Sequence, residues 1–126
     1  MKSVKIIPLL TPDGEVGGRL CFRSHDPEMK RRATIAWKRL NGLFEPIRTV
    51  RLTTEGRGVD AASEAVIRKI EKQLTDVVDF VCGVKASQAA FERYAPFASI
   101  SDDDFWASVV IAALREVVSS MTNNRI

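Results

Sequence analysis

The sequence predicts a mainly α-helical fold, with three long or medium helices, one short helix and a small β element near the N-terminus. Three observations predict this class: apolar residues at helical spacing, capping residues before those segments, and a β-branched stretch in the first quarter. The 126 residues suit one domain. We expect a β-hairpin arm over 1–24, a helical body over 26–121 and a frayed tail over 122–126. The class becomes α+β if the hairpin and a strand over 47–54 both form.

The N-terminal arm has the composition of extended structure. Val4–Leu10 is apolar and β-branched, and Pro8 favours an edge strand. Residues 11–14 and 17–18 have turn composition, and 19–23 alternates between apolar and polar positions. These segments predict a hairpin with a long loop.

The first helix is predicted over 27–44. Asp26 supplies a side-chain acceptor at the N-cap, and Pro27 suits the first helical position. The apolar residues form a stripe about 120° wide. Gly42 and then Pro46 are expected to end the helix.

A strand and a loop are predicted to follow. Residues 47–54 favour a strand by their β-branched content. Residues 55–58 contain Gly56, Arg57 and Gly58, a pattern that invites comparison with a phosphate-binding loop. The segment lacks the Lys-Ser/Thr pair and the spacing of a P-loop, so it predicts a turn.

Two further helices are predicted before the last one. Asp60 or Ser63 caps a helix that runs to about Val81, with one apolar stripe, a charged opposite face and Gly83 as its C-terminal cap. A short helix over 87–94 follows it.

The last helix is the most apolar, and its apolar surface is unusually wide. Residues 101–104 (Ser-Asp-Asp-Asp) are predicted to cap it. At about 100° per residue, the apolar band of 105–121 covers about 260° of the helix circumference. The helix is therefore either central in a bundle or partly in contact with another chain. The second alternative assigns contacts with self or client to Phe105, Trp106, Val110, Leu114 and Val118.

Composition limits the classes of function. The hydrophobic content of 45% and net charge of +3 are ordinary, and permit an acidic partner without demanding one. No signal peptide or membrane-spanning stretch is apparent. The two cysteines, Cys21 and Cys82, are far apart and predict reduced thiols. We expect a cytoplasmic protein without membrane contact.

Candidate catalytic and metal-binding groups are few. His25 lies near Cys21 in the chain, but a structural zinc site needs about four ligands and only Cys82 adds another soft one. Three consecutive carboxylates, Asp102, Asp103 and Asp104, point about 100° apart on a helix and cannot converge on one substrate. We therefore predict no enzyme, no metal and no cofactor.

A basic group of side chains marks the first helix. Arg31, Arg32, Lys38 and Arg39 lie away from its apolar stripe and could neutralise phosphates of a nucleic acid. No aromatic residue interleaves with them, and no helix-turn-helix spacing is apparent. A solvated face and a face for an acidic protein remain open as alternatives.

Three segments resemble the small tail assembly chaperones of long-tailed bacteriophages: WKRLN at 37–41, TDVVDFV at 75–81 and DDFW at 103–106. The resemblance implies a largely helical, non-enzymatic chaperone that coats the hydrophobic tape measure protein until tail tube protein displaces it. It also implies homo-oligomers that assemble side by side. The predicted N-terminal strands depart from an all-helical pattern. The leading hypothesis is such a chaperone, and the alternative is a small nucleic-acid-binding regulator.

Overall fold

The fold, in a computed structural model, is mainly helical with an N-terminal antiparallel hairpin, which confirms the predicted class. The structure describes residues 4–23, 28–40, 42–43, 45–83, 85–101 and 104–123. Its elements in chain order are β1 (Val4–Leu10), β2 (Val16–Arg23), α1 (Met29–Leu40), a 3-10 helix (Glu45–Thr49), α2 (Ala61–Cys82), α3 (Ala86–Ala90) and α4 (Trp106–Asn123).

The predicted hairpin is present, with a shorter loop than expected. β1 and β2 pair antiparallel from Val4 opposite Arg23 to Leu10 opposite Val16. Hydrogen bonds between Thr11 and Glu15 close the loop between the strands. The amide of Thr11 donates to the carbonyl of Glu15, and the amide of Glu15 donates to the hydroxyl of Thr11. The predicted turn at Gly17–Gly18 is wrong, because both glycines lie inside β2. The register shifts between Leu9, which pairs with Gly18, and Leu10, which pairs with Val16, so Gly17 is the unpaired residue of a bulge in β2.

The two long helices before α4 follow local signals in the sequence. The predicted start of α1 at Asp26 and Pro27 lies outside the described residues, and α1 itself covers Met29–Leu40. At the start of α2, the side chain of Asp60 accepts a hydrogen bond from the amide of Ser63 at 2.7 Å, as predicted.

The predicted strand over 47–54 is wrong. Residues Glu45–Thr49 form a 3-10 helix, and only Leu52 forms a strand-like bridge, with Gly58. Two local features explain the difference. The hydroxyl of Thr49 bonds back to the carbonyl of Pro46 at 2.9 Å, and Gly56 turns the chain with a φ of 85°. β-Branched content favours extended structure only where a neighbouring strand exists to pair with it.

The predicted boundaries of α3 and α4 also need correction. α3 covers Ala86–Ala90, and α4 begins at Trp106 without an acidic residue in its first turn. The amide of Trp106 donates to the carbonyl of Ala98, and the next amide donates to that of Pro96. Backbone carbonyls of the preceding loop therefore accept from the first amides of α4, in place of the expected Ser101 cap. Asp102 and Asp103 lie outside the described residues.

Two adjoining clusters of buried side chains form the core. The first joins the hairpin to α1, α2, α3 and α4, and the second joins α2 to the loop before α4 and to Ala107. α4 contributes to both clusters, so it lies centrally in the fold. The largest fully buried side chains are Trp106, Phe97, Leu9, Leu20, Ile67, Leu74, Leu114, Val78, Val81 and Val110.

Candidate functional site

Among its described side chains, the apolar band of α4 lies mainly in the core of the folded monomer. Trp106 and Val110 are 0% exposed and Leu114 is 1% exposed, so assigning these three side chains to an exposed contact surface is wrong. Phe105 is half-buried and packs edge-on against Phe97, with 5.8 Å between ring centroids. The side chain of Val118 lies outside those that the structure describes. The hairpin packs on α4, because Leu9, Leu20 and Phe22 belong to the same buried cluster as Trp106, Val110 and Leu114.

The hairpin approaches α4 closely at Gly17, because this residue has no side chain to collide with the ring of Trp106. The indole N–H of Trp106 donates to the carbonyl of Ala90 at 2.8 Å, and its ring lies 5.1 Å from that of Tyr94. A Cβ atom at Gly17 would lie 2.6 Å from the indole ring. The missing side chain at this position therefore makes room for the indole.

Gly18 likewise allows the backbone of β2 to approach the backbone of α3 closely. A Cβ atom at this position would lie 2.4 Å from the carbonyl oxygen of Ala90 and 2.9 Å from that of Ala89. Both neighbours are backbone atoms, which cannot rotate away. The glycine pair thus reflects packing between elements, and sequence reasoning missed it because two adjacent glycines also suit a turn.

Among the side chains whose burial the structure describes, the largest group of exposed apolar ones lies on the hairpin. We call this surface the outer face. On the opposite face, the apolar side chains of Leu9, Leu20 and Phe22 enter the core. Successive side chains of a strand point to opposite faces, so the even-numbered residues of β1 share one face. The aliphatic members are 44% to 61% exposed. The outer face consists of Val4, Ile6, Pro8 and Leu10 on β1 and Val16 on β2.

Cationic side chains flank the outer face along β2. Arg23 is paired in register with Val4, and Arg19 with Pro8. Arg19 also approaches Glu92 at 3.8 Å, an ion pair in which both side chains are more than half exposed and which therefore contributes little to stability. The outer face is thus apolar along one strand and basic along the other.

A groove continues the outer face around the edge of β1. It has a volume of about 400 Å³ and lies between β1 and α4. Its lining includes buried apolar surface together with one lysine and one glutamate at the rim. The lining residues are Lys5, Ile6, Ile7, Phe22, Glu116 and Val117.

The four predicted basic residues of α1 do not act as one free array. Arg31 forms an ion pair with Glu28 at 2.8 Å. The guanidinium of Arg32 donates to the carbonyl of Val81 at 3.4 Å, which joins α1 to α2. Arg39 lies 4.9 Å above the ring of Phe80, and Lys38 is exposed. Two of the four cations therefore serve packing between the helices.

The cysteines and the candidate metal ligands form no reactive centre within the described residues. Burial, and to a lesser extent the nearby Cys21, raises the pKa of the Cys82 thiol to about 12, so it stays protonated and weakly nucleophilic at neutral pH. Across the described ranges, no three His, Cys, Asp or Glu side chains are grouped as metal ligands. His25 lies outside them. In the same part of the chain, no helix is both long and apolar enough to cross a membrane.

An ion-pair cluster that sequence reasoning missed fixes the loop before α2. The guanidinium of Arg57 binds Glu64 at 2.7 Å and Glu71 at 2.9 Å, in each case through two hydrogen bonds. Glu64 also accepts from the amide of Gly58 at 2.8 Å and from Arg68 at 2.9 Å. The amides of Gly56 and Arg57 donate to the carbonyl and the hydroxyl of Thr53, respectively. The loop therefore forms a turn, as predicted, and its backbone donors are bound within the protein.

We expect Arg57→Ala to lower the midpoint of thermal unfolding by several degrees. The change leaves two partly buried carboxylates close together without their shared cation. Arg68→Ala is the matched control, because it removes another arginine from Glu64 at a position where the arginine is 76% exposed. The control should have little effect. Equal losses in the two variants would contradict a structural role for the cluster.

The same cluster predicts a pH dependence. Hydrogen bonds from Arg57, the Gly58 amide and Arg68 hold the pKa of Glu64 at about 2, below its ordinary 4.5. Because the pKa is lower in the folded state, this stabilisation is present above about pH 4.5 and is lost as the pH falls towards 2. The stability difference between the wild type and Arg57→Ala should be constant near neutral pH and shrink over that acidic interval. Unfolding curves at several pH values test it, and a difference that grows with acidity would contradict it.

The chain matches no protein-family model, no curated protein and no solved structure.

Proposed function

We propose that the protein is a non-enzymatic assembly chaperone that binds an apolar segment of a client protein on its outer face. One observation carries the proposal: the aliphatic side chains of that face are 44% to 61% exposed, although they lie together on one side of a hairpin. Single exposed apolar residues are ordinary on protein surfaces. A contiguous apolar group beside a groove is typical of an interaction site.

Side-chain packing, rather than strand addition, suits the chemistry of β1. A partner strand that pairs along an exposed edge needs a continuous row of backbone donors and acceptors. Pro8 interrupts that row because proline has no backbone N–H. The charged Lys5 also lies on β1, and lysine on an edge strand opposes pairing with other strands. The client is therefore expected to lie across the side chains of the outer face.

The charges favour a client over a second copy of the chain. Arg19 and Arg23 accompany the apolar side chains on the same face of the hairpin. A second copy would bring the same two cations and its own net charge of +3. An apolar segment with acidic neighbours complements the face better.

The resemblance to phage tail assembly chaperones supplies a specific form of the proposal. The client is then the tape measure protein, held in the host cytoplasm until tail tube protein displaces the chaperone. Covering apolar surface contributes about 25 cal/mol per Å², which allows release by competition without a cofactor. Side-by-side homo-oligomers belong to the same proposal, with contacts between copies that lie outside the outer face.

Suppression of aggregation tests the proposal. We expect the wild-type protein to reduce light scattering from chemically denatured citrate synthase, and Val4→Thr/Ile6→Thr to need about tenfold more protein for the same effect. Threonine preserves the branched shape and the strand preference of both residues. Val59→Thr is the matched control, since Val59 is 52% exposed but lies outside the outer face.

Two outcomes would overturn the proposal. One is suppression that Val59→Thr weakens as much as the double variant does. The other is no suppression at all, together with salt-sensitive binding to duplex DNA that Lys38→Ala abolishes. The second outcome would favour the nucleic-acid-binding regulator.

A further inference from the structure

A second candidate interaction surface includes no residue of the hairpin and lies where α1 ends beside α2. A cleft of about 420 Å³ opens between the end of α1, the 3-10 helix and α2. Leu43 and Ile70 are buried at its base, and Val66 forms part of its wall. Gly42 turns the chain with a φ of 77°, and a Cβ atom there would meet no neighbour. We call this site the α1–α2 cleft.

The rim of the α1–α2 cleft is positively charged. Arg39 and Lys69 line it together with Gln73, and none of the described residues that line it is acidic. Within the described part of the chain, neither cation has an ion-pair partner, whereas Lys72 on the next turn of α2 approaches Asp76 at 3.5 Å. Arg39 is held in place by the ring of Phe80, 4.9 Å away. A fixed guanidinium loses less conformational entropy on binding an anion than a mobile one does.

We propose that the α1–α2 cleft binds an acidic peptide segment of a partner protein. One apolar side chain of the peptide enters the cleft, and carboxylates of the peptide flank that side chain. The apolar base fits the inserted side chain, and the two cations fit the flanking carboxylates. A nucleic acid would contact the cations but would leave the apolar base without a complement. This site is independent of the outer face, so failure of either proposal leaves the other standing.

An NMR titration of the ¹⁵N-labelled full chain tests the proposal with three synthetic peptides. The first is Glu-Glu-Leu-Glu-Glu, the second replaces its glutamates by glutamines, and the third replaces its leucine by serine. We expect saturable shifts of the amides of Gly42, Leu43 and Ile70 with the first peptide, and much weaker binding of the other two. The shifts should weaken as salt is added.

Two lysine variants of α2 form a matched pair, because each removes one positive charge from the same helix. Lys69→Gln should raise the dissociation constant of the first peptide about two- to fivefold, and Lys72→Gln should leave it unchanged. Equal effects of the two variants would overturn the proposal, as would the absence of saturable shifts. Stronger shifts of the same amides by a short DNA duplex would also overturn it.

Discussion

Gly18→Ala is expected to lower the free energy of unfolding by about 3 kcal/mol, near the upper end of the usual cost of overpacking. The added methyl group would lie 2.4 Å from the carbonyl oxygen of Ala90. Since that neighbour is backbone, β2 and α3 must separate to accommodate it. Urea denaturation with an unchanged m value measures the loss.

Gly14→Ala is the control for Gly18→Ala. Gly14 lies in the hairpin connection with a φ of 85°, and a Cβ atom there meets nothing within 4 Å. The control has only the backbone cost of a left-handed conformation, about 1 kcal/mol. A loss at Gly14 as large as that at Gly18 would contradict the close packing of β2 on α3.

Trp106→Ala is expected to have the largest effect, a loss of about 4 kcal/mol, as for other buried large aromatic residues. Trp106 is fully buried and donates to the carbonyl of Ala90. Trp106→Phe retains most of the apolar volume but removes the donor, so it should cost about 2 kcal/mol. Chemical denaturation of both variants measures the order. Unchanged stability of Trp106→Ala would contradict the burial of α4.

The sequence predicted an element correctly where residues close together in the chain determine its structure. The apolar stripe of α2 and its cap at Asp60 identify that helix without reference to the rest of the chain. The β-branched, apolar composition of β1 and the alternation along residues 19–23 of its partner likewise indicate the hairpin. By contrast, the strand predicted at 47–54 rested on composition alone. It failed because no second strand lies beside it in the described fold.

The candidate site depended on packing between distant residues, which the sequence does not reveal. The wide apolar band of α4 required neighbours on two sides, but the helical pattern could not say whether these came from the same chain. Gly17 and Gly18 allow the hairpin of the same chain to be one of these neighbours, because their lack of side chains leaves room for Trp106 and α3. Once the hairpin covers α4, the exposed apolar surface shifts to Val4 and Ile6 on its other side.

Carbene footprinting read by mass spectrometry tests most directly whether the outer face, rather than α4, is the accessible apolar surface. In the free protein, we expect labelling of Val4, Ile6 and Leu10 and none of Trp106 or Leu114. Addition of denatured citrate synthase should reduce labelling of the outer face and leave Trp106 and Leu114 unlabelled. Labelling of Trp106 in the free protein would contradict the proposed site. A decrease of that labelling when the client is added would show that α4 meets the client.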